Sequence, residues 1–300
     1  MSTAVALPPL TSRGFAIEPE TIGWLEDRSP LLGDAAALRA AMDEHGHLLI
    51  RGLLDPADVL AARAAVCAML ERDGHLEPGT DPLRAVARKG CGIKFKPEYA
   101  NGNAAVERLL YTGAMVDFFA DFFGGGVAHY DFTWLRAVSP GHGTPSHCDV
   151  VYMGRGDTRT LYTVWTPLGD VGFDLGGLMV LPGTHRHDRL RNTYGKYDVD
   201  TFCENKPGVD GWKRGGALAD NPNQVRRSLG IERWLTTEFR AGDVLVFNMF
   251  TVHASLDNPS DRIRLSTDSR YQLAGTRMDE RWIGPNPIGH GAAGKRGRIC

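Results

Sequence analysis

A sandwich or barrel of short β-strands, buttressed from its N-terminal side by helices, is the fold class that this sequence predicts. Three observations predict it. From Val127 onward, short runs rich in β-branched and aromatic residues alternate with turn residues. Ahead of them, residues 34–126 hold segments of helical period that carry recognisable caps. A chain of 300 residues, 42% of them apolar, can build a sizeable core, and barrels of this length often form one domain.

The elements follow in order. Residues 1–33 are punctuated by Pro and Gly and are expected to wrap the outside. Asp34 caps a helix expected over 35–44, and 47–54 reads as a strand and turn. Asp55 caps a longer helix over 56–71, with Pro56 at its first turn and an apolar stripe of Val59, Leu60, Ala64, Val66, Cys67 and Leu70. Two further helices fit 104–111 and 114–123, the second stopped by Gly124-Gly125-Gly126. These complete a helical buttress over 34–126. Residues 127–275 form the β core, with strands expected near 127–138, 147–153, 160–167, 177–181, 234–239, 243–248, 250–255 and 262–273. Inside it, 184–233 has few apolar runs yet includes Tyr194, Tyr197, Phe202 and Trp212. So long a connection is expected to be a functional lid. Residues 276–300 make a C-terminal tail.

Composition narrows the function. A net charge of −2 gives no basic excess for nucleic acid. Five cysteines, an odd number without a Cys-x-x-Cys pair, do not make a disulfide framework and suggest a reducing cytoplasm. No signal peptide and no membrane span are expected, since no long apolar window exists. A small-molecule partner fits best, and oligomeric state is open.

Metal-ligand spacing is the chemical signal. His-x-Asp/Glu occurs three times, as His75/Glu77, His129/Asp131 and His147/Asp149. On a strand, residues i and i+2 share a face and can grip one ion. His75 lies among Gly and Pro loop residues, whereas His129/Asp131 opens an alternating stretch and remains a possible pair. His147/Asp149 sits where the loop ending at Pro145 meets an expected strand, at the rim of a sheet. Far downstream comes His253, and two imidazoles with one carboxylate form the facial set that holds non-haem Fe(II) with open positions. Arg264 and Ser266 follow, on one strand face, as a guanidinium fork and a hydroxyl suited to a carboxylate. Arg262 shares that face and competes for the role. Ser255, two after His253, could bond the same ligand. His45/His47 and His185/His187 read as solvated or capping histidines, and Cys148 as a buried small group pointing away from the metal.

Several motifs in order resemble the phytanoyl-CoA dioxygenase (PhyH-like) family over roughly residues 40–275. They are Pro145-Ser146-His147-Cys148-Asp149, Thr163-Val164-Trp165-Thr166-Pro167-Leu168-Gly169-Asp170, and Gly176-Gly177-Leu178-Met179-Val180-Leu181-Pro182-Gly183-Thr184-His185. Ala241-Gly242-Asp243-Val244-Leu245-Val246-Phe247 then leads to Val252-His253-Ala254-Ser255 and on to Arg264-Leu265-Ser266. The resemblance implies a double-stranded β-helix, or jelly roll. It implies an Fe(II)- and 2-oxoglutarate-dependent oxygenase that uses O2, hydroxylates a C–H bond and releases succinate and CO2. His147, Asp149 and His253 are the implied metal ligands and catalytic centre, and Arg264 with Ser266 the anchor for the far carboxylate of 2-oxoglutarate. Trp165 is implied near that cosubstrate or the metal, and Lys94, in preference to Lys96, as a basic residue reaching the cosubstrate. Related halogenases lack the carboxylate, so Asp149 favours hydroxylation.

Two rival readings come from other classes. A cupin-like metalloenzyme without 2-oxoglutarate would keep the triad but not need Arg264 and Ser266. A catalytically idle member would bind a small ligand in the same cavity.

Overall fold

The long outer face of one sheet needs apolar cover, and four helices supply it. The computed structural model describes residues 7–201 and 215–290. Helix α1 (Ala35–His45) begins at Asp34, whose carboxylate accepts from the Ala37 N–H at 3.0 Å, and ends at Gly46 in the left-handed region. A side chain at Gly46 would strike the His185 ring, so this turn requires glycine twice over. Helix α2 (Pro56–Arg72) starts at Asp55, which accepts from the Ala57 N–H at 2.8 Å. Helices α3 (Ala104–Tyr111) and α4 (Ala114–Phe123) follow, with Gly124 closing the second.

The larger sheet runs β4 (His47–Ile50), β10 (Val244–Asn248), β7 (Leu161–Pro167) and β12 (Arg264–Leu273). The far edge of β12 pairs with both β5 (Val127–His129) and β6 (Trp134–Val138). Its outward residues, among them Leu48, Ile50, Leu135, Tyr162, Val164, Val246, Leu265 and Tyr271, form one buried cluster with the four helices. The stripe of α2 differs from the expectation at two positions. Leu60 and Ala64 are exposed and Ala62 is buried, because the helix turns its 59/62/66/70 face to the sheet.

The smaller sheet runs β11 (His253–Ser255), β8 (Leu178–Val180), β9 (Trp234–Thr236) and β3 (Ile22–Trp24). Here the N-terminal segment does more than wrap. A short hairpin, β1 (Thr11–Ser12) and β2 (Phe15–Ala16), precedes β3, which pairs in parallel with β9 as an edge strand. The inner faces of the two sheets enclose Leu49, Trp165, Leu178, Val180, Phe239, Leu245 and Phe247. Two sheets with an apolar filling between them, opening at one end, make a jelly roll.

One expected strand is absent. Residues 147–153 give a single bridge at His147 and then the one-turn helix α5 (Val150–Met153). Within 184–233, helices α6 (Asp188–Asn192) and α7 (Pro222–Ser228) are present, while Phe202 and Trp212 lie outside the described residues. The C-terminal tail is described as far as His290. No described helix is long and apolar enough to cross a membrane.

Candidate metal centre and cosubstrate cradle

His147 and His253 meet as backbone partners. The His147 N–H donates to His253 O at 3.0 Å and the His253 N–H returns to His147 O at 2.9 Å, which sets the two rings 4.1 Å apart. Each ring Nδ1 lies against a carbonyl two residues back: Pro145 O at 2.8 Å and Thr251 O at 3.0 Å. Those bonds fix Nδ1 as the protonated nitrogen and leave both Nε2 atoms as bare lone pairs. Burial lowers both imidazole pKa values, His147 to about 3, so both rings are neutral at pH 7.

Asp149 completes the group by a route other than strand alternation. Its backbone is helical, at the start of α5, and its Oδ1 stands 3.6 Å from the Nε2 of His147 and 3.6 Å from that of His253. The other oxygen, Oδ2, accepts from Thr163 Oγ1 at 2.6 Å and from the Arg270 guanidinium at 2.8 Å. One carboxylate oxygen is thereby tied to the large sheet and one faces the imidazoles. Burial, the largest single influence, opposes ionisation of Asp149, but Arg270, the two facing imidazoles and the Thr163 hydroxyl together outweigh it and hold the carboxyl well below the ordinary carboxylate range. The candidate ligand atoms of His147, Asp149 and His253 all lie within 4.8 Å of one another. Two neutral nitrogens and one carboxylate oxygen, all buried and with their outer atoms already bonded, fit Fe(II).

Below the triad the inner face of β12 presents Arg264, Ser266, Asp268 and Arg270 at successive even positions. Arg264 is 1% exposed, donates to Gly176 O at 2.7 Å, and forms no ion pair with any described residue. Burial lowers its pKa to about 10, which still leaves it charged at neutral pH. Its Nε, the Ser266 hydroxyl and the Trp165 indole nitrogen are all buried without a protein partner. Register explains their proximity: Asp268 sits opposite Trp165, and the Arg264 guanidinium carbon lies 6.0 Å from the Trp165 ring centre. A lone buried guanidinium is strongly destabilising unless an anion joins it. These orphaned donors on one face fit the carboxylate of 2-oxoglutarate.

Arg262 lies at the surface instead, paired with Asp174 at 2.5 Å. The Ser255 hydroxyl accepts the Thr144 N–H at 2.8 Å and so ties the loop before His147 to β11. Lys94 is exposed and lines an outer cavity rather than the one beside the triad; the backbone of its segment bonds along β6, Lys96 N–H to Leu135 O at 2.9 Å, and Lys96 pairs with Glu98. His129 stacks on Tyr111 and lines, with Asp131, a separate cleft of about 1010 Å³, so cavity size does not locate this site. His187 caps α6, His185 bonds Asp43 O, and Cys148 is buried with its Sγ toward Phe250 O, away from the triad. His75 and Glu77 join no metal-ligating group among the described residues.

Sequence reasoning missed Thr163, Arg270 and Arg136. Arg270 was legible, since the 264/266 alternation continues to it. Arg136 was not, because only the pairing of Ser266 with Arg136 brings β6 beside the site. A cavity of about 320 Å³ opens beside the triad, lined by Phe95, Trp134, Arg136, Tyr152, Met153 and Arg270. His290 closes one side of it, its Nδ1 2.9 Å from Asp200.

Comparison with known proteins agrees with this geometry. The phytanoyl-CoA dioxygenase (PhyH) family profile matches residues 42–266. The 1-deoxypentalenic acid 11-beta-hydroxylase of Streptomyces exfoliatus is 26% identical over 282 residues, covering 89% of this chain and 92% of the relative. Among solved structures, EctD from S. alaskensis with 2-oxoglutarate and 5-hydroxyectoine superposes with a TM-score of 0.59 at 16% identity, covering 98% of this chain and 95% of its own. The epimerase SnoN, in complex with Fe3+, alpha ketoglutarate and nogalamycin RO, gives a TM-score of 0.57 at 20% identity, with 87% and 95% covered. At those identities the two structures speak to the fold. Taken with the match over most of its length, the chain belongs to the phytanoyl-CoA dioxygenase (PhyH) family of Fe(II)- and 2-oxoglutarate-dependent oxygenases.

Proposed function

We propose that His147, Asp149 and His253 hold the iron and that Arg264, with Ser266 and Trp165, anchors the far carboxylate of 2-oxoglutarate. The substrate is a small molecule seated in the cavity lined by Trp134, Tyr152 and Met153, whose C–H bond is hydroxylated. The observation that carries this reading is the buried guanidinium of Arg264, without an ion pair among the described residues, on the same sheet face that grips Asp149.

Iron(II) and 2-oxoglutarate, when bound, supply the oxidation that turns O2, 2-oxoglutarate and C–H into C–OH, succinate and CO2. The chain's own part is positioning and exclusion of water. The carbonyls of Pro145 and Thr251 orient the two imidazoles, and Thr163 with Arg270 restricts Asp149 to one free oxygen. Arg264 gives direction to a dicarboxylate that would otherwise rotate. Tyr152 and Tyr194 bond Gly215 O and Gly216 O, which fastens the chain beyond 214 over this end of the barrel. That arrangement supports a lid role for 184–233. Cys67, Cys91 and Cys148 are all free thiols, in keeping with a reducing, cytoplasmic setting.

The test is coupled turnover. Purified protein with Fe(II), 2-oxoglutarate, O2 and a panel of small molecules should form succinate, and Asp149→Ala should not. Succinate formation undiminished in that variant would refute the ligand assignment. A cupin-like enzyme without 2-oxoglutarate would leave Arg264 with no function, and nothing in the site favours it.

A further inference from the structure

Among the described residues, Arg136 is the one guanidinium at this site whose terminal nitrogens are both uncommitted. Its Nε donates to Asp268 at 2.5 Å and its plane lies over Phe95, 5.9 Å from the ring centre. Neither terminal nitrogen has a partner among the described residues, while Arg264 bonds Gly176 and Arg270 bonds Asp149. The side chain nevertheless stays charged, because the Asp268 carboxylate beside it offsets its burial. It stands where the cavity beside the triad meets a second, outer one of about 360 Å³, and the two share Phe95, Arg136, Thr144 and Pro145. Lys94, exposed and without an ion pair among the described residues, lines the outer cavity. The inner one is walled by Trp134, Tyr152 and Met153.

We infer that Arg136 is the anchor for a carboxylate on the substrate, and that this enzyme acts on small, largely apolar organic anions. The inference rests on the oxygenase reading above. A guanidinium with both terminal nitrogens free presents a two-pronged face to a carboxylate. Charge balance points the same way. Fe(II), dianionic 2-oxoglutarate, Asp149, Asp268 and the guanidiniums of Arg136, Arg264 and Arg270 together leave one positive charge in a buried site. A monoanionic substrate neutralises it, whereas a neutral one leaves it in a medium where net charge is costly. Docking the anion at the junction of the cavities directs the apolar remainder inward, past Trp134, toward the triad. Lys94 then draws anions to the mouth.

The experiment is anaerobic binding to enzyme loaded with Fe(II) and 2-oxoglutarate, followed by calorimetry and by the visible charge-transfer band. The probes are decanoate and adamantane-1-carboxylate against decanol and adamantane-1-methanol. At least one acid should bind tenfold or more tightly than its alcohol. Arg136→Gln should erase that preference and leave 2-oxoglutarate affinity unchanged. The double variant Arg136→Gln/Asp268→Asn removes the partner charge and covers the case where the single variant misfolds, and Arg136→Lys should retain part of the preference. Absence of acid preference across the panel, or its persistence in both Gln variants, overturns the inference. So does a loss of 2-oxoglutarate affinity in Arg136→Gln, which would make Arg136 a cosubstrate residue. A wild-type protein that gives no charge-transfer band with Fe(II) and 2-oxoglutarate fails the oxygenase reading instead, a result separate from these.

Discussion

The two faces of β12 are built from one strand and do opposite work. Outward, Leu265 and Tyr271 pack against helices, with Tyr271 stacked 4.4 Å from Phe119 and its hydroxyl bonded to Leu110 O. Inward, Arg264, Ser266, Asp268 and Arg270 form a polar file, every member buried. The outward face gains apolar burial and dispersion, worth roughly 1.5–3 kcal/mol for each large side chain. The inward face forgoes that gain and places cations and donors where a carboxylate and a metal would use them. Sheet periodicity makes the separation possible: a side chain changes jobs by moving one residue along the strand. Stability and chemistry should therefore respond to different substitutions.

The largest effect on the site is expected from Asp149→Ala. Metal affinity should fall beyond the roughly 10–100-fold typical of outer-sphere changes, with succinate formation at background. Metal-binding calorimetry checks it. Arg264→Ala comes next and should raise KM for 2-oxoglutarate by a factor equivalent to several kcal/mol, the range for breaking a buried charge pair. Arg262→Ala, which removes only a surface pair, should leave KM within about twofold. Arg270→Gln leaves Asp149 Oδ2 without its guanidinium partner, held only by Thr163, and should weaken metal binding by about 10–100-fold while KM for 2-oxoglutarate moves less.

Acidity sharpens the contrast. The folded pKa of His147 is depressed to about 3, against 6.5 as the ordinary value, so the folded ring stays neutral from pH 7 down to about pH 4. The unfolded chain takes up that proton near pH 6.5 and the folded one does not, so metal-free stability should decline as pH falls below about 6.5. His147 should add little to any pH dependence of metal affinity between pH 7 and 5, because its ring has no proton to lose there. Denaturant midpoints and metal titrations over that range decide both. Least of all should the site feel Phe119→Ala. That cavity should cost about 3–5 kcal/mol of stability, yet metal affinity of the folded variant should remain within twofold. If Phe119→Ala shifted metal affinity as far as Arg270→Gln does, the two faces would not be independent.

Much of this was legible in the chain, for local reasons. Caps at Asp34 and Asp55, the Gly124 stop and the 104–111 and 114–123 helices each depend on neighbours in sequence. His147, Asp149 and His253 were legible as a set through their motifs, though not through the shared strand face that spacing suggests. Alternation along a strand does not bring Asp149 to His147; a bridge to His253 followed by a helical turn does. Val150-Val151-Tyr152-Met153 has strong strand propensity, and tertiary context overrode it. Lys94 lies between elements, where no periodicity tells which way a side chain points, and it lines the outer cavity. Arg136 needed a register between β6 and β12 that no local pattern encodes. Thr163 is likewise invisible until β7 lies beside Asp149.

The most direct test of the account is an anaerobic titration of 2-oxoglutarate into the Fe(II)-loaded protein, followed in the visible. The wild type and Arg262→Ala should both develop the metal-to-ligand charge-transfer band at low 2-oxoglutarate. Arg264→Ala should need concentrations about a hundredfold higher or more, as the loss of a buried charge partner implies. A band that forms in Arg264→Ala as readily as in the wild type would contradict the cradle, and its absence from all three proteins would contradict the site itself.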